Sequence, residues 1–426
     1  MPVTAGDFEY GWKRALDPAL GSPVASLLYD VKGAKAYNRG EGPDASKVGV
    51  RAADDKTLLV ELDEPAGYFL HLLSHNATYP LPRHVVEKHA DDWTVLNNIA
   101  SNGPFRLESR DPGKSMTLAR NPLYHGAFGG NVERVQLALM PPEDWQAILA
   151  RYQAGKSDAM DMAGVPPSVV SDAERQRPGS KVLRFPRLAT FYVVFDVTRP
   201  PFDDPRVRQA FVLGTERQAV AAGGLMSGVS PATGGLAPRG MPGYCEGIAP
   251  PYDLDRARQL LAEAGYPDGR GFPAMHCLAM SGPALQALSS FLQGQWRQNL
   301  GLDVSWKTME WGEYAERVRE EHPHVYLLCW VADFPDPDTY LRVGVDIHSA
   351  WRNDAYASLV EQARHAMNQA ERMSLYRQAE KILADEAPIM VVGYGEETFL
   401  LQPWVGKFPA SAVVESFWKD VVIERH

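Results

Sequence analysis

The chain has 426 residues, 45% of them hydrophobic and 23% charged, and 43 Lys and Arg stand against 53 Asp and Glu for a formal charge of -10. That length exceeds one ordinary hydrophobic core, so two or more packed units are expected, and the acidic balance leaves no positive footprint for a nucleic-acid partner. No apolar run approaches the roughly 20 residues that cross a bilayer, and residues 1–20 lack the basic start and apolar stretch of a signal peptide. Cys245, Cys277 and Cys329 form no C-x-x-C pair, which argues against a zinc ribbon or a disulfide scaffold.

In chain order, the first clear element is a β-hairpin: Val48, Val50 and Ala52 alternate up to Asp54-Asp55, and Leu58, Val60 and Leu62 alternate after it. The Pro- and Gly-rich stretch Ser230–Pro250 reads as a long surface loop. Asp253 then caps a helix with Leu254, Ala257, Leu260, Leu261 and Ala264 on one face, closed by Gly265 and Pro267. Leu285, Leu288, Leu292 and Trp296 continue at helical spacing to Gly301, after which Leu302, Val304 and Trp306 alternate as a strand. A strand at Val325–Trp330, helices around Leu359–Met367 and Met373–Leu383, and a strand at Ile389–Val392 extend the alternation. The pattern predicts an α/β lobe with a mixed sheet.

Several segments, taken in order, resemble the peptide/nickel-type solute-binding proteins (bacterial solute-binding protein family 5), and most of all the oligopeptide-binding members that serve ABC transporters. They are Pro2–Phe8 with Trp12, Asn102–Phe105, Arg120-Asn121-Pro122 with Tyr124, and Arg151–Gly155 with Asp161. Pro201–Arg208, Leu260–Tyr266, Glu310-Trp311, Trp330–Pro337 and Pro403–Gly406 follow. The resemblance implies a two-lobed periplasmic-binding-protein-like fold of type II, with mixed sheets and a hinge between the lobes. Relatives carry, before the segment equivalent to Pro2–Phe8, an export signal and a block of about a hundred residues. The fold is therefore expected to be N-terminally truncated, with an open sheet edge or incomplete cleft wall around residues 95–185. The expected division is 1–95, a remnant of the hairpin-containing small domain attached to lobe 1; 95–185, the central part of lobe 1; 186–400, lobe 2; and 401–426, a return segment of lobe 1.

The same resemblance assigns the site. Asp333 matches the family aspartate that pairs with the ligand's α-ammonium group, and a buried carboxylate that gains its counter-charge only on docking can set both orientation and affinity. Read from spacing alone, Asp333 is an exposed turn residue among Asp336 and Asp338. Trp330 and Trp311 are candidate pocket walls, because aromatic faces give contact area without demanding one ligand side chain, and core packing is their plainer explanation. Phe191 and Tyr192, on the run Thr190–Phe195 where the chain passes between lobes, are further candidates, with an interlobe core strand as the alternative. Two relatives' features are absent: Val331 stands where they carry a cysteine, and Leu327 where a close oligopeptide-binding relative has a basic residue that can engage the ligand's carboxylate.

Enzyme motifs are not found: G-x-S-x-G, H-E-x-x-H, G-x-x-x-x-G-K-[ST] and G-x-G-x-x-G do not occur. His276-Cys277 is a poor nucleophile pair, since neighbours on a strand point to opposite faces. His322 and His324 lack a third metal ligand at useful spacing, and Asp336 and Asp338 lack an EF-hand loop. The reading is a non-enzymatic clamp, without cofactor or metal, whose partners are a peptide-like ligand and an ABC transporter permease. It is expected to be monomeric when complete and to work in the cell envelope. The rival readings are a signal-less protein of the same fold reused in biosynthesis inside the cell, and a non-functional remnant.

Overall fold

The computed structural model describes every residue except 43, 142–143, 163–164, 167, 170–171, 173–178, 223–227 and 414–416. The N-terminal part opens with the helix Ala5–Ala15, whose capping box has the Thr4 backbone N–H donating to Asp7 Oδ2 at 2.8 Å. That helix buries Trp12, which donates its indole N–H to the Thr78 carbonyl at 2.9 Å. The expected hairpin forms as β1 (Val50–Asp54) and β2 (Thr57–Val60), antiparallel, with Val50 opposite Val60. Trp12, Leu16, Val31, Val50, Tyr68 and Leu72 build one core there, and Phe334 enters it from far along the chain.

A three-stranded antiparallel sheet follows, of β3 (Phe105–Asp111), β4 (Ser115–Arg120) and β5 (Arg134–Ala138), with β4 central. Among the described residues neither outer strand has a further partner strand.

The large sheet contains β6 (Ala159–Asp161), β7 (Lys181–Phe195), β8 (Val229–Pro231), β9 (Cys277–Met280), β10 (Trp306–Met309), β11 (Val325–Val331) and β12 (Ile389–Leu401). Its order is β10-β9-β11-β7-β12-β6, with β8 beside β12. Strands β10, β9 and β11 run parallel, joined by the helices Pro283–Leu300 and Trp311–Glu321, and the remaining pairings are antiparallel. Period-two alternation splits the core between the faces. Phe191, Val193, Phe195, Ala279 and Leu327 face the helices Leu254–Glu263 and Pro283–Leu300, while Tyr192, Val194, Tyr326 and Leu328 face the helices Asp354–His365 and Gln369–Glu386.

Strands β7 and β12 pair from Val194↔Ile389 to Lys181↔Leu401, interrupted by irregularities at Val391/Gly393 and Tyr394/Glu396. One end of this ribbon lies in the large core, and the other carries Phe399 and Leu401 into small clusters with Val405 and with Tyr152 and Met160 around Leu400. At the first irregularity β8 crosses closely: a Cβ on Gly393 would stand 2.5 Å from Val229 Cγ1 and 2.9 Å from the Ser230 carbonyl, so only glycine fits. Beyond β12, β13 (Val405–Lys407) pairs with β14 (Val422–Ile423). This last segment returns to residues 129–131, where Gly130 N–H donates to Lys419 O and Asn131 exchanges hydrogen bonds with the Ile423 backbone.

Three expectations change. Ser230–Pro250 is not a surface loop throughout: Ala232, Leu236, Ala237 and Met241 are buried. Its backbone groups find partners inside the fold, with Gly234 N–H donating to Tyr394 Oη, Tyr394 Oη donating to Gly235 O, and Ala237 N–H donating to Glu380 Oε1. Leu302 and Val304 are buried but precede the strand, which begins at Trp306. The strand expected to end at Val392 runs on to Leu401 because the bulges let it bend without breaking its pairing with β7.

Candidate ligand-binding site

Parallel strands β9, β10 and β11 all end on the same side, and in open α/β sheets that carboxyl edge is where ligands are held. Trp311 follows β10, and Trp330 and Asp333 stand at the end of β11. Ser281 follows β9 and donates its hydroxyl to Glu310 Oε1 at 2.5 Å.

Asp333 is half-buried, and its Oδ2 accepts a hydrogen bond from the wholly buried Thr339 hydroxyl at 2.9 Å. Burial raises its pKa above the ordinary carboxylate range, while the Thr339 hydrogen bond and the charge of His75 act in the opposite direction. His75, from the N-terminal part, is half-buried and has its own pKa lowered by burial. The next residue, Phe334, is buried against Tyr68. Asp336 and Asp338, grouped with Asp333 by spacing, are wholly buried ion-pair members: Arg372 Nη2 lies 2.7 Å from Asp336 Oδ2, and Arg342 grips Asp338 through Nε at 2.9 Å and Nη2 at 2.5 Å. The turn reading of these two is thereby corrected. Burial on both sides, not exposure, is what their arginines offset.

Trp330 is half-buried, and its ring meets His348 edge-on at 4.9 Å. Tyr192 is buried on the same face and its hydroxyl lies 3.0 Å from His348 Nδ1, so His348 joins the two aromatic candidates. Burial lowers the His348 pKa to about 4, which keeps that imidazole neutral. Phe191 lies on the other face of β7, in the core beneath the helices, so Phe191 and Tyr192 do not line one surface. Trp311 is 59% exposed and its ring stacks on Tyr314. Leu327 is fully buried in the same core as Phe191, out of reach of a ligand carboxylate. Cys277 is buried, and its thiol is pushed up to about 12 by desolvation, which removes any activation by His276.

Reasoning on the sequence missed Thr339, His348, His75 and Tyr68. None sits in a motif; each reaches the site through tertiary packing.

The sequence profile of the bacterial extracellular solute-binding proteins, family 5 middle, matches residues 1–346. A probable deoxycholate-binding periplasmic protein of Escherichia coli is 31% identical over 100% of this chain and 80% of its own length. The periplasmic oligopeptide-binding protein of the same organism is 29% identical over 100% of this chain and 79% of its own. Among solved structures, the E. coli murein tripeptide binding protein aligns with a TM-score of 0.83 at 26% identity, covering 100% of this chain and 84% of that one. An unliganded open form of that protein aligns at 0.74.

Proposed function

We propose a function from one premise: the chain belongs to family 5 of the bacterial extracellular solute-binding proteins. The fold is the two-lobed solute-binding type, and its relatives include periplasmic oligopeptide-binding proteins. Our reading is that this chain binds a peptide or peptide-like solute between its lobes by hinge closure and hands it to an ABC transporter permease in the cell envelope, acting as a monomer and without covalent chemistry.

The observation that carries the reading is Asp333. It is a desolvated carboxylate at the carboxyl edge of the sheet that accepts a hydrogen bond from the Thr339 hydroxyl and feels the charge of His75, and among the described residues it forms no ion pair. An ammonium group docked there supplies the missing counter-charge, and the main chain of an extended peptide is held as an added strand would be. Trp330 and Trp311 then bound the pocket, and Tyr192 supports Trp330 through His348.

Calorimetry with a peptide pool tests this. Asp333→Asn should weaken binding by on the order of 2–5 kcal/mol, more than tenfold, with little change in fold stability. N-acetylated peptides should bind the parent protein with a comparable deficit. Equal binding of free and acetylated peptides, or binding of deoxycholate in preference to either, overturns the assignment.

A further inference from the structure

The N-terminal part meets the lobe built on the large sheet along a seam beside Asp333. Asp30 and Tyr68 stand on its N-terminal side, and Asp338, Arg342 and Arg364 stand opposite. Arg342 holds Asp338 and also donates through Nη2 to Tyr68 Oη at 2.9 Å. The Tyr68 hydroxyl in turn donates to Asp30 Oδ2, and Arg364 Nη2 pairs with Asp30 Oδ1. Burial and the charges of Asp338 and Asp30 push the Tyr68 pKa up, so the phenol keeps the proton that it donates. Two links of this chain cross the seam, Arg342 to Tyr68 and Arg364 to Asp30.

The backbones meet there too. Gly67 N–H donates to the Arg364 carbonyl at 3.0 Å, and a Cβ on Gly67 would stand 2.5 Å from the Ala366 carbonyl oxygen and 2.7 Å from Arg372 Nη1. Only a residue without a side chain lets the two surfaces come so near.

Asp333 lies at this seam. It precedes Phe334, whose ring rests on Tyr68, and it shares an electrostatic interaction with His75 of the N-terminal part. A solute docked on Asp333 therefore sits where the two surfaces meet, and bringing them together over it completes the pocket. The chemistry suits a contact that can part. The attraction between paired buried ions is largely offset by the hydration they forgo, and that hydration returns when they separate, so a solute's own contacts can decide which state is favoured.

We propose that this seam is the closure contact of the clamp, and that Asp30, Gly67 and Arg364 set ligand affinity without touching the ligand. The proposal rests on the hinge closure read above. Where only the fraction of molecules in the competent state binds, apparent affinity falls with that fraction, so a lost seam contact weakens binding as far as it depletes the closed form.

The test is a distance measurement on the whole chain without peptide, by double electron–electron resonance between nitroxide labels. The labels are carried on unnatural residues at the exposed positions Lys56 and Gln378, which leaves the three cysteines untouched. Asp30→Asn and Arg364→Met each remove a charge link, and Gly67→Ala wedges the backbones apart. Each should raise the ratio of long to short distances at least tenfold over the parent. Glu87→Gln, at an exposed ion pair with Arg83, should leave that ratio unchanged. Circular dichroism shows whether each variant is folded. A mixed tripeptide pool should bind each variant more weakly by the factor by which its closed fraction fell. Unaltered distances in folded Asp30→Asn and Gly67→Ala overturn the proposal, because the two surfaces then move as one body. Distances that shift while affinity stays at the parent level overturn it as well. Because the distances are read without peptide, their failure is distinct from equal binding of free and acetylated peptides, which concerns Asp333 alone.

Discussion

Phe334 lies flat on Tyr68, with ring centroids 5.1 Å apart and planes 11° from parallel. The residue after Asp333 is thus set into the core of the N-terminal part, and the carboxylate is placed by packing as well as by hydrogen bonding.

Truncating that ring tests the placement. Phe334→Ala should cost about 3–5 kcal/mol of stability, the usual loss for a buried phenylalanine, and should lower ligand affinity further than stability alone accounts for. Urea melts checked against calorimetry on the folded fraction separate the two effects. Parent-like affinity in the folded variant would show that Asp333 needs no such anchor.

Thr339 offers a subtler probe. Thr339→Val keeps the shape but removes the hydroxyl that holds Asp333 Oδ2. Burial already raises the Asp333 pKa, and the hydroxyl opposes that rise. Binding of an ammonium ligand needs the ionised carboxylate, so affinity falls as pH drops through the Asp333 pKa, and in Thr339→Val this acid limb should move to higher pH. Thr339→Ser should restore the parent profile. Coincident profiles for Val and Ser would refute the role.

Arg342 faces the buried Asp338 carboxylate and also donates to the Tyr68 hydroxyl at 2.9 Å. Arg342→Met leaves Asp338 charged and without its arginine, a change expected to cost about 3–5 kcal/mol. Adding Asp338→Leu should recover much of the loss, because the pair's charges had offset each other's burial. A double variant no more stable than the single one contradicts this account.

Glu380 is buried and its pKa is raised to about 7 by desolvation, although the Ala237 and Leu236 N–H groups and Arg377 pull the other way. Unfolded, the group titrates near 4.5. Between these values the folded state holds more protons than the unfolded state, so stability should fall as pH rises from about 4.5 to about 7, by roughly 3 kcal/mol. Glu380→Gln should flatten that slope in urea melts at a series of pH values. An unchanged slope would assign the pH dependence to other groups.

Legibility followed locality. The Asp253-capped helix forms with Asp253 accepting from Arg256 N–H at 3.0 Å, and the hairpin at Val48–Leu62 closes, because each signal lies within a few residues. The buried course of Ser230–Pro250 was not legible, since its backbone is satisfied by Tyr394 and Glu380, well over a hundred residues away. Asp333 could be singled out only through resemblance to a family, and nothing in its spacing separates it from Asp336 and Asp338. Their burial depends on Arg372 and Arg342, and Arg372 belongs to another helix.

The β7–β12 ribbon also sets an order of events in time. Lys181 pairs with Leu401, more than two hundred positions later, whereas β1 finds β2 across a short turn. Contacts so distant along the chain meet their loop-closure entropy before any pairing repays it, which makes them slow to form. During synthesis β7 emerges long before its partner and waits with that edge unsatisfied, so the hairpin and the helices of the middle segment are in place before the strand that joins both ends of the molecule arrives.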